Sequence, residues 1–208
     1  MAEVEAGVPP RRWDEYDDAE ELPPILQHAL SAFVTNGYHG TTVRDLAKRL
    51  GQTVPAIYYH YENKQAVLVA LMTRSMDELT ERCVAAEAEA PDDPVKRFEA
   101  LVRCIVLYVA YRREMAFLDA EIRSLEEENR AAYIRRRDRL ESMITRVITA
   151  GMEQGVFLPG DSHAHARAIL TMLRGIANWY HVGGYLTSHD LGDQYVTYCL
   201  RLVGHDRV

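Results

Sequence analysis

The sequence predicts an all-α protein, with a small amino-terminal domain of three helices and a larger carboxy-terminal helical domain. Two observations support this. Apolar residues recur at the helical spacing i, i+3, i+4 and i+7 through most of the 208 residues. No run alternates apolar and polar residues between hairpin turns, as a half-buried strand would. Caps, glycines and prolines divide the chain into about nine helices.

The composition predicts an ordinary globular protein of the cytoplasm. Hydrophobic residues make up 48% and charged residues 26%, with a net charge of −7. The three cysteines, Cys83, Cys104 and Cys199, are odd in number and widely spaced, so they fit neither a disulfide framework nor a zinc site. The chain has no apolar leader and no long apolar run, which predicts neither secretion nor a membrane span.

Residues 1–21 hold eight acidic and two basic residues and little to bury, which predicts a disordered acidic arm. The first helix is expected from Pro23 to Asn36. Its apolar stripe consists of Leu26, Leu30 and Phe33. The pair Asn36-Gly37 closes it. The simplest expectation is that the arm does nothing beyond aiding solubility.

Residues 41–64 are typical of two short helices joined by a tight turn. Thr42 is placed to cap the first helix with Asp45 three residues on, and Gly51 is placed to end it. Thr53 then precedes a second helix whose first turn holds Pro55. The apolar positions are Val43, Leu46, Ala47 and Leu50, then Val54, Ile57, Tyr58 and Tyr61. This pattern predicts a helix-turn-helix in residues 22–66 whose second helix exposes aromatic and cationic groups.

Residues 67–208 are predicted to form the second domain, which the fourth helix joins to the first. The expected helices run from Asn63, as cap, to about Glu89, and then over Lys96–Tyr111, Arg112 to about Leu125, Glu127 to about Gln154, Ser162, as cap, to about His181, and Ser188, as cap, to about Val203.

The pattern T-T-x-x-D-L-A…G…T-x-P-x-I-Y-Y-H-Y-x-N-K in residues 41–64 resembles the DNA-binding signature of the TetR family of bacterial transcriptional repressors. The resemblance implies a homodimer on a palindromic double-stranded DNA operator, released by a small-molecule effector, with no metal or cofactor. Residues 22–64 carry a net charge of +2 on an otherwise acidic chain, which suits contact with phosphates. Gln52 departs from the family pattern, which usually has an apolar residue there.

The resemblance also implies residue roles. DNA contacts are expected from Thr42, Arg44, Thr53, Val54, Pro55, Ala56, Tyr58, Tyr59, His60 and Lys64. Dimerisation through a four-helix bundle is expected from Ile169, Leu173, Ile176, Tyr195, Val196, Cys199, Leu200 and Val203. The alternative role of the acidic arm is then to tune the affinity for DNA by repelling phosphate.

An effector pocket among packed helices is predicted from apolar residues with a few polar ones. The candidates are Tyr108, Tyr111, Phe117, Met143, Met172, Arg174 and Trp179. The alternative for each is a place in the core. The segment from Trp179 to Leu202 resembles the carboxy-terminal part of regulators that respond to acyl-CoA or fatty-acid-like effectors. The run 135–137 of three arginines either forms salt bridges along its helix or receives ligand phosphates.

Two other classes of function remain open at this point. An enzyme is disfavoured because the chain has no Gly-rich phosphate loop, G-x-S-x-G or HExxH motif. His163 and His165 are two residues apart on a helix, which is a poor arrangement for a metal. A helical adaptor that has lost DNA binding is the remaining alternative.

Overall fold

The computed structural model describes residues 12–16 and 22–205, and the prediction of an all-α fold is confirmed for them. The helices are α1 (Pro24–Asn36), α2 (Val43–Leu50), α3 (Val54–His60), α4 (Lys64–Glu89), α5 (Pro94–Tyr111), α6 (Arg113–Phe117), α7 (Glu127–Glu153), α8 (Ser162–Arg174) and α9 (Ser188–Leu202). Short 3₁₀ helices lie at Leu118–Ser124 and Gly175–Asn178.

Helices α1 to α3 form a small domain that continues into α4. Ile25, Ala47 and Ile57, one from each of the three helices, form a buried cluster between them. On the other side of α1, Phe33 is 1% exposed and joins the core that α4 shares with the rest of the chain. The two domains therefore share apolar packing along α4.

Helix α5 is the centre of the larger domain. It packs against α4, α7, α8 and α9. Every residue from Cys104 to Ala110, two full turns of the helix, is buried. A helix that is apolar on all sides belongs in a core. Helices α7 and α8 pack together beside it, and α9 lies along it.

Several helix boundaries differ from the sequence predictions, and α5 begins at Pro94, two residues before the predicted Lys96. The predicted single helix after Tyr111 is a short α6 followed by the 3₁₀ helix Leu118–Ser124. Helix α8 ends at Arg174, before His181, because the chain tightens into the second 3₁₀ helix. Asp161 and Thr187, one residue earlier than predicted, cap α8 and α9 by accepting backbone N–H bonds.

Residues 12–16 of the predicted disordered arm are packed against the larger domain. The Trp13 indole donates a hydrogen bond to Glu89 at 2.9 Å. Arg82 donates to the carbonyl oxygens of Trp13 and Glu15, and the Tyr16 ring stacks on Tyr111 with centroids 4.7 Å apart. The prediction of disorder is wrong for this segment, because its aromatic side chains pack against residues of α4 and α5. Residues 1–11 and 17–21 of the predicted arm lie outside the described residues.

Candidate nucleic-acid interface and effector cavity

The helix-turn-helix is held by local hydrogen bonds. The Asp45 carboxylate accepts from the Thr42 backbone N–H at 2.9 Å, and the Thr42 hydroxyl accepts from the Asp45 N–H at 3.2 Å. Gly51 has φ 63°, which lets its own N–H reach Lys48 and the next N–H, of Gln52, reach Ala47 at 2.9 Å. Gln52, which stands where the resembled pattern usually has an apolar residue, therefore leaves the turn intact.

Helix α3 presents one face to solvent. Tyr59 is 86% exposed and Tyr58 is 49% exposed. Ile57, on the opposite face of α3, is fully buried against the other helices of the domain. Pro55 and His60 are also exposed. This is the distribution needed for a helix that enters a major groove, where side chains must reach base edges.

The remaining predicted DNA contacts lie around this face. Arg44 is exposed on α2, while Val54 and Ala56 are half-buried at the start of α3. The hydroxyl groups of Thr42 and Thr53 cap α2 and α3, with the Thr53 oxygen 3.4 Å from the Ala56 nitrogen. Their contacts with DNA remain predictions.

Lys64 has a structural role that the sequence did not indicate. Its ammonium donates to the carbonyl oxygens of Tyr38 and Thr41, each at 2.8 Å, and lies 4.2 Å from the centre of the Tyr38 ring. Burial lowers the pKa of Lys64, and the carboxylate of Glu121 opposes that shift. Lys64 thus holds the loop between α1 and α2, and its predicted phosphate contact competes with this role.

A cavity of about 330 Å³ lies in the larger domain between α4, α5, α7 and α8. Its apolar walls include Met76, Leu79, Ile105, Val109, Met115, Leu140 and Leu170. Ile134, Asp138 and Arg167 are exposed, so they mark the opening. Two buried hydroxyl groups lie in its wall: that of Tyr108 donates to the Ser75 backbone carbonyl at 2.9 Å and accepts from the Ser75 hydroxyl at 2.9 Å, so both are satisfied.

The cavity includes two of the seven predicted effector residues, Tyr108 and Arg174. The other five do not line it. Tyr111 stacks on Tyr16 and shares a hydrogen bond with Ser188, and Met143 is buried in the core. Phe117 and Trp179 are 41% and 46% exposed, and Met172 is half-buried outside the cavity.

Asp119 is the charged centre of the cavity wall. It accepts from the Tyr133 hydroxyl at 3.0 Å and from Arg174 at 3.0 Å, and the Arg137 guanidinium lies 3.7 Å away. Burial raises the pKa of Tyr133, as does the neighbouring Asp119 carboxylate, so Tyr133 stays a neutral donor. Sequence reasoning missed Asp119 and Tyr133. It did suggest Arg137 as a possible ligand contact, as one member of the arginine run. Arg136, from the same run, forms a salt bridge with Asp77 at 3.1 Å.

The predicted dimer residues are mostly internal. Ile169, Leu173, Ile176, Val196, Cys199, Leu200 and Val203 are each no more than 1% exposed within a single chain. They pack on the core of their own chain, so the direct contacts predicted for them are placed on the wrong face. Tyr195 alone of the eight is partly exposed.

The exposed surface beside α8 and α9 carries other large apolar side chains. They are Leu158, Trp179, Val182, Tyr185, Tyr198 and Leu202, with exposed fractions from 37% to 97%. The ring of Tyr195 is 5.8 Å from that of Tyr198, so these two aromatics on α9 are neighbours, and the ring of Trp179 is 5.9 Å from that of Tyr180.

A capped helix-turn-helix with an exposed second helix, joined by one long helix to a domain with a small-molecule cavity, defines a DNA-binding regulator with a ligand-binding domain. Comparison with known proteins agrees. Residues 25–71 match the family described as bacterial regulatory proteins, tetR family, and residues 91–203 match the tetracyclin repressor-like, C-terminal domain. The chain belongs to the TetR family of transcriptional regulators.

Individual relatives are similar over most of the chain. The HTH-type transcriptional repressor KstR2 of Mycobacterium tuberculosis is 26% identical over 179 residues, which are 85% of this chain and 89% of that protein. A solved tetR-family regulatory protein from Rhodococcus RHA1 is 30% identical, with a TM-score of 0.83 over 88% of this chain and 97% of that one.

A third comparison involves a structure with both kinds of ligand. AibR in complex with isovaleryl coenzyme A and operator DNA is 27% identical to this chain, with a TM-score of 0.77 over 84% of this chain and 95% of that one.

Among the helices of the described residues, none has the length and apolar character needed to cross a membrane.

Proposed function

We propose that this protein is a homodimeric repressor that binds a palindromic operator and leaves it when a small amphipathic effector fills the cavity. The observation that carries the proposal is the presence, on one chain, of an exposed recognition helix and an apolar cavity whose wall holds arginines. The proposed place of action is the bacterial cytoplasm, where operator DNA lies. No turnover of the effector is expected.

The cavity favours an effector with an apolar body and an anionic head. Its apolar wall suits an acyl chain, and Arg137, Arg167 and Arg174 lie where such a chain would meet its polar end. An acyl-CoA has both parts. The AibR complex with isovaleryl coenzyme A supports this class of ligand for a protein of the same fold.

The proposed dimer uses the exposed surface beside α8 and α9, including Trp179, Tyr195 and Tyr198. Exposed aromatic residues are typical of interface cores. A two-fold axis there would present two α3 helices to successive major grooves about 34 Å apart. We expect Tyr198→Arg to produce monomers in analytical ultracentrifugation, with Val84→Arg, on an exposed position of α4, as the matched control. A dimeric Tyr198→Arg variant would move the interface elsewhere.

The operator is tested by fluorescence anisotropy with DNA from the protein's own upstream intergenic region, against a scrambled duplex, at physiological salt. A preference of ~10³ or more for the native fragment establishes specific recognition. Equal, weak binding to both duplexes would contradict the proposal and favour the helical adaptor.

The effector site is tested by filling the cavity. Val109 is buried in its wall, so Val109→Phe is expected to keep operator binding and to lose release by isovaleryl coenzyme A. Val84→Phe adds the same ring at an exposed position of α4 and serves as control. Normal release from the Val109→Phe variant would show that the effector binds elsewhere.

A further inference from the structure

The 3₁₀ helix Leu118–Ser124 faces the cavity on one side and the DNA-binding domain on the other. A 3₁₀ helix has three residues per turn, so residues two apart point in directions about 120° from each other. Asp119 lines the cavity. Glu121 and Ser124, one turn apart, contact the loop between α1 and α2.

On the cavity side, Asp119 is held by three groups from two other helices. Tyr133 and Arg137 come from α7 and Arg174 from α8. Its side chain is only 18% exposed, so charge–charge interactions there are less screened than at the surface. One carboxylate serves two guanidinium groups, and a ligand anion would compete for the same donors.

On the other side, the contacts reach the residues that precede α2. A carboxylate oxygen of Glu121 lies 3.4 Å from the Tyr38 backbone nitrogen. The Ser124 hydroxyl donates to Glu121 at 2.7 Å, which leaves its oxygen to accept from His39 Nε2 at 3.1 Å. Lys64 binds the carbonyl of the same Tyr38. The loop is therefore held from both domains.

We propose that Leu118–Ser124 transmits effector occupancy from the cavity to the loop between α1 and α2. An anionic group of the effector binds Arg137 and Arg174 in place of Asp119. The 3₁₀ helix then shifts, and the hydrogen bonds of Glu121 and Ser124 to the loop between α1 and α2 break. This rests on the proposed function. The shift requires that the effector favours the arrangement in which Asp119 is displaced.

Asp119→Asn tests the link without any ligand, because the amide cannot hold two guanidinium groups as a carboxylate does. We expect hydrogen exchange of the Tyr38 and His39 amides to accelerate by ~5-fold or more, the lower end of ordinary allosteric coupling. Arg123→Gln changes an exposed residue of the same 3₁₀ helix and should leave these rates unchanged. Unchanged exchange in Asp119→Asn would overturn the proposal. Should that variant fail to fold, Arg174→Gln breaks the same ion pair from α8.

The same samples separate this proposal from the proposed function. Operator binding and its release by isovaleryl coenzyme A are measured by anisotropy on wild-type protein. Failure there refutes the proposed operator or effector, while the exchange rates of Tyr38 and His39 still decide the link. A double variant, Glu121→Gln with Ser124→Ala, is expected to bind isovaleryl coenzyme A as wild type does. The factor by which isovaleryl coenzyme A lowers its affinity for the operator is expected to be at least ~5-fold smaller than in wild type. An undiminished ratio would contradict the link.

Discussion

Replacing Lys64 by methionine decides between two roles for this side chain. Methionine keeps the apolar stem but removes two hydrogen bonds of 2.8 Å to the carbonyls of Tyr38 and Thr41, and a cation placed 4.2 Å from the Tyr38 ring. A hydrogen bond to a charged group contributes ~1.5–3 kcal/mol when buried. Lys64 is half-buried, so we expect a total loss of about 2 kcal/mol after allowing for solvent.

For a chain of this size, that loss lowers the midpoint of thermal unfolding by about 4–8 °C. Calorimetry measures it, with Lys48→Met on the exposed side of α2 as control. Operator affinity is then followed against salt concentration. A residue that contacts phosphate lowers the slope of that dependence by about 1 when it is removed. A Lys64→Met variant with the wild-type midpoint and a reduced slope would refute the structural role and support the phosphate contact.

Three further predictions concern single side chains. Tyr59→Ala should weaken operator binding by ~10-fold or more in anisotropy with no change in melting, because the ring is 86% exposed; unaltered affinity would remove it from the interface. The three cysteines should not react with a thiol reagent near about pH 8 until urea is added, since all are buried; hydrogen bonding to Cys104 and burial raise the pKa of Cys83, and burial raises that of Cys199 to about 12. Rapid labelling of the native protein would contradict this. Hydrogen bonds from Thr42 lower the pKa of Asp45, so its stabilising effect is present above about pH 4 and lost as the pH falls through its folded pKa. Asp45→Asn should therefore lower the melting midpoint more at neutral pH than at about pH 3, and an equal effect at both would exclude an ionic contribution.

Local signals in the sequence predicted the amino-terminal domain well. The roles of four residues can be inferred from spacing alone, because each acts through hydrogen bonds to residues three or four positions away: Thr42, Gly51, Thr53 and Asn63. The caps of α8 and α9 were misplaced by one residue because Asp161-Ser162 and Thr187-Ser188 each offer two adjacent side chains capable of capping.

The cavity and the dimer surface depend on contacts between distant segments. Asp119 gains its role from Tyr133, Arg137 and Arg174, at separations of 14, 18 and 55 residues, and no periodicity indicates such a group. The apolar stripes of α8 and α9 were visible, but a stripe does not say whether it meets its own chain or a partner. Residues such as Leu200 are buried in the core of their own chain.

The packed residues 12–16 also limit how far the DNA-binding domain can travel. Tyr16 is fixed against Tyr111 in the larger domain, and Leu22 leads directly into α1. An extended chain covers at most ~3.6 Å per residue, so the six steps between these positions reach no further than about 22 Å. While Tyr16 stays stacked on Tyr111, the start of α1 can therefore move only within that distance of it. This limit permits the small displacements that change the spacing of two recognition helices and prevents a larger swing of the DNA-binding domain. Lengthening residues 17–21 would release that limit without touching either domain.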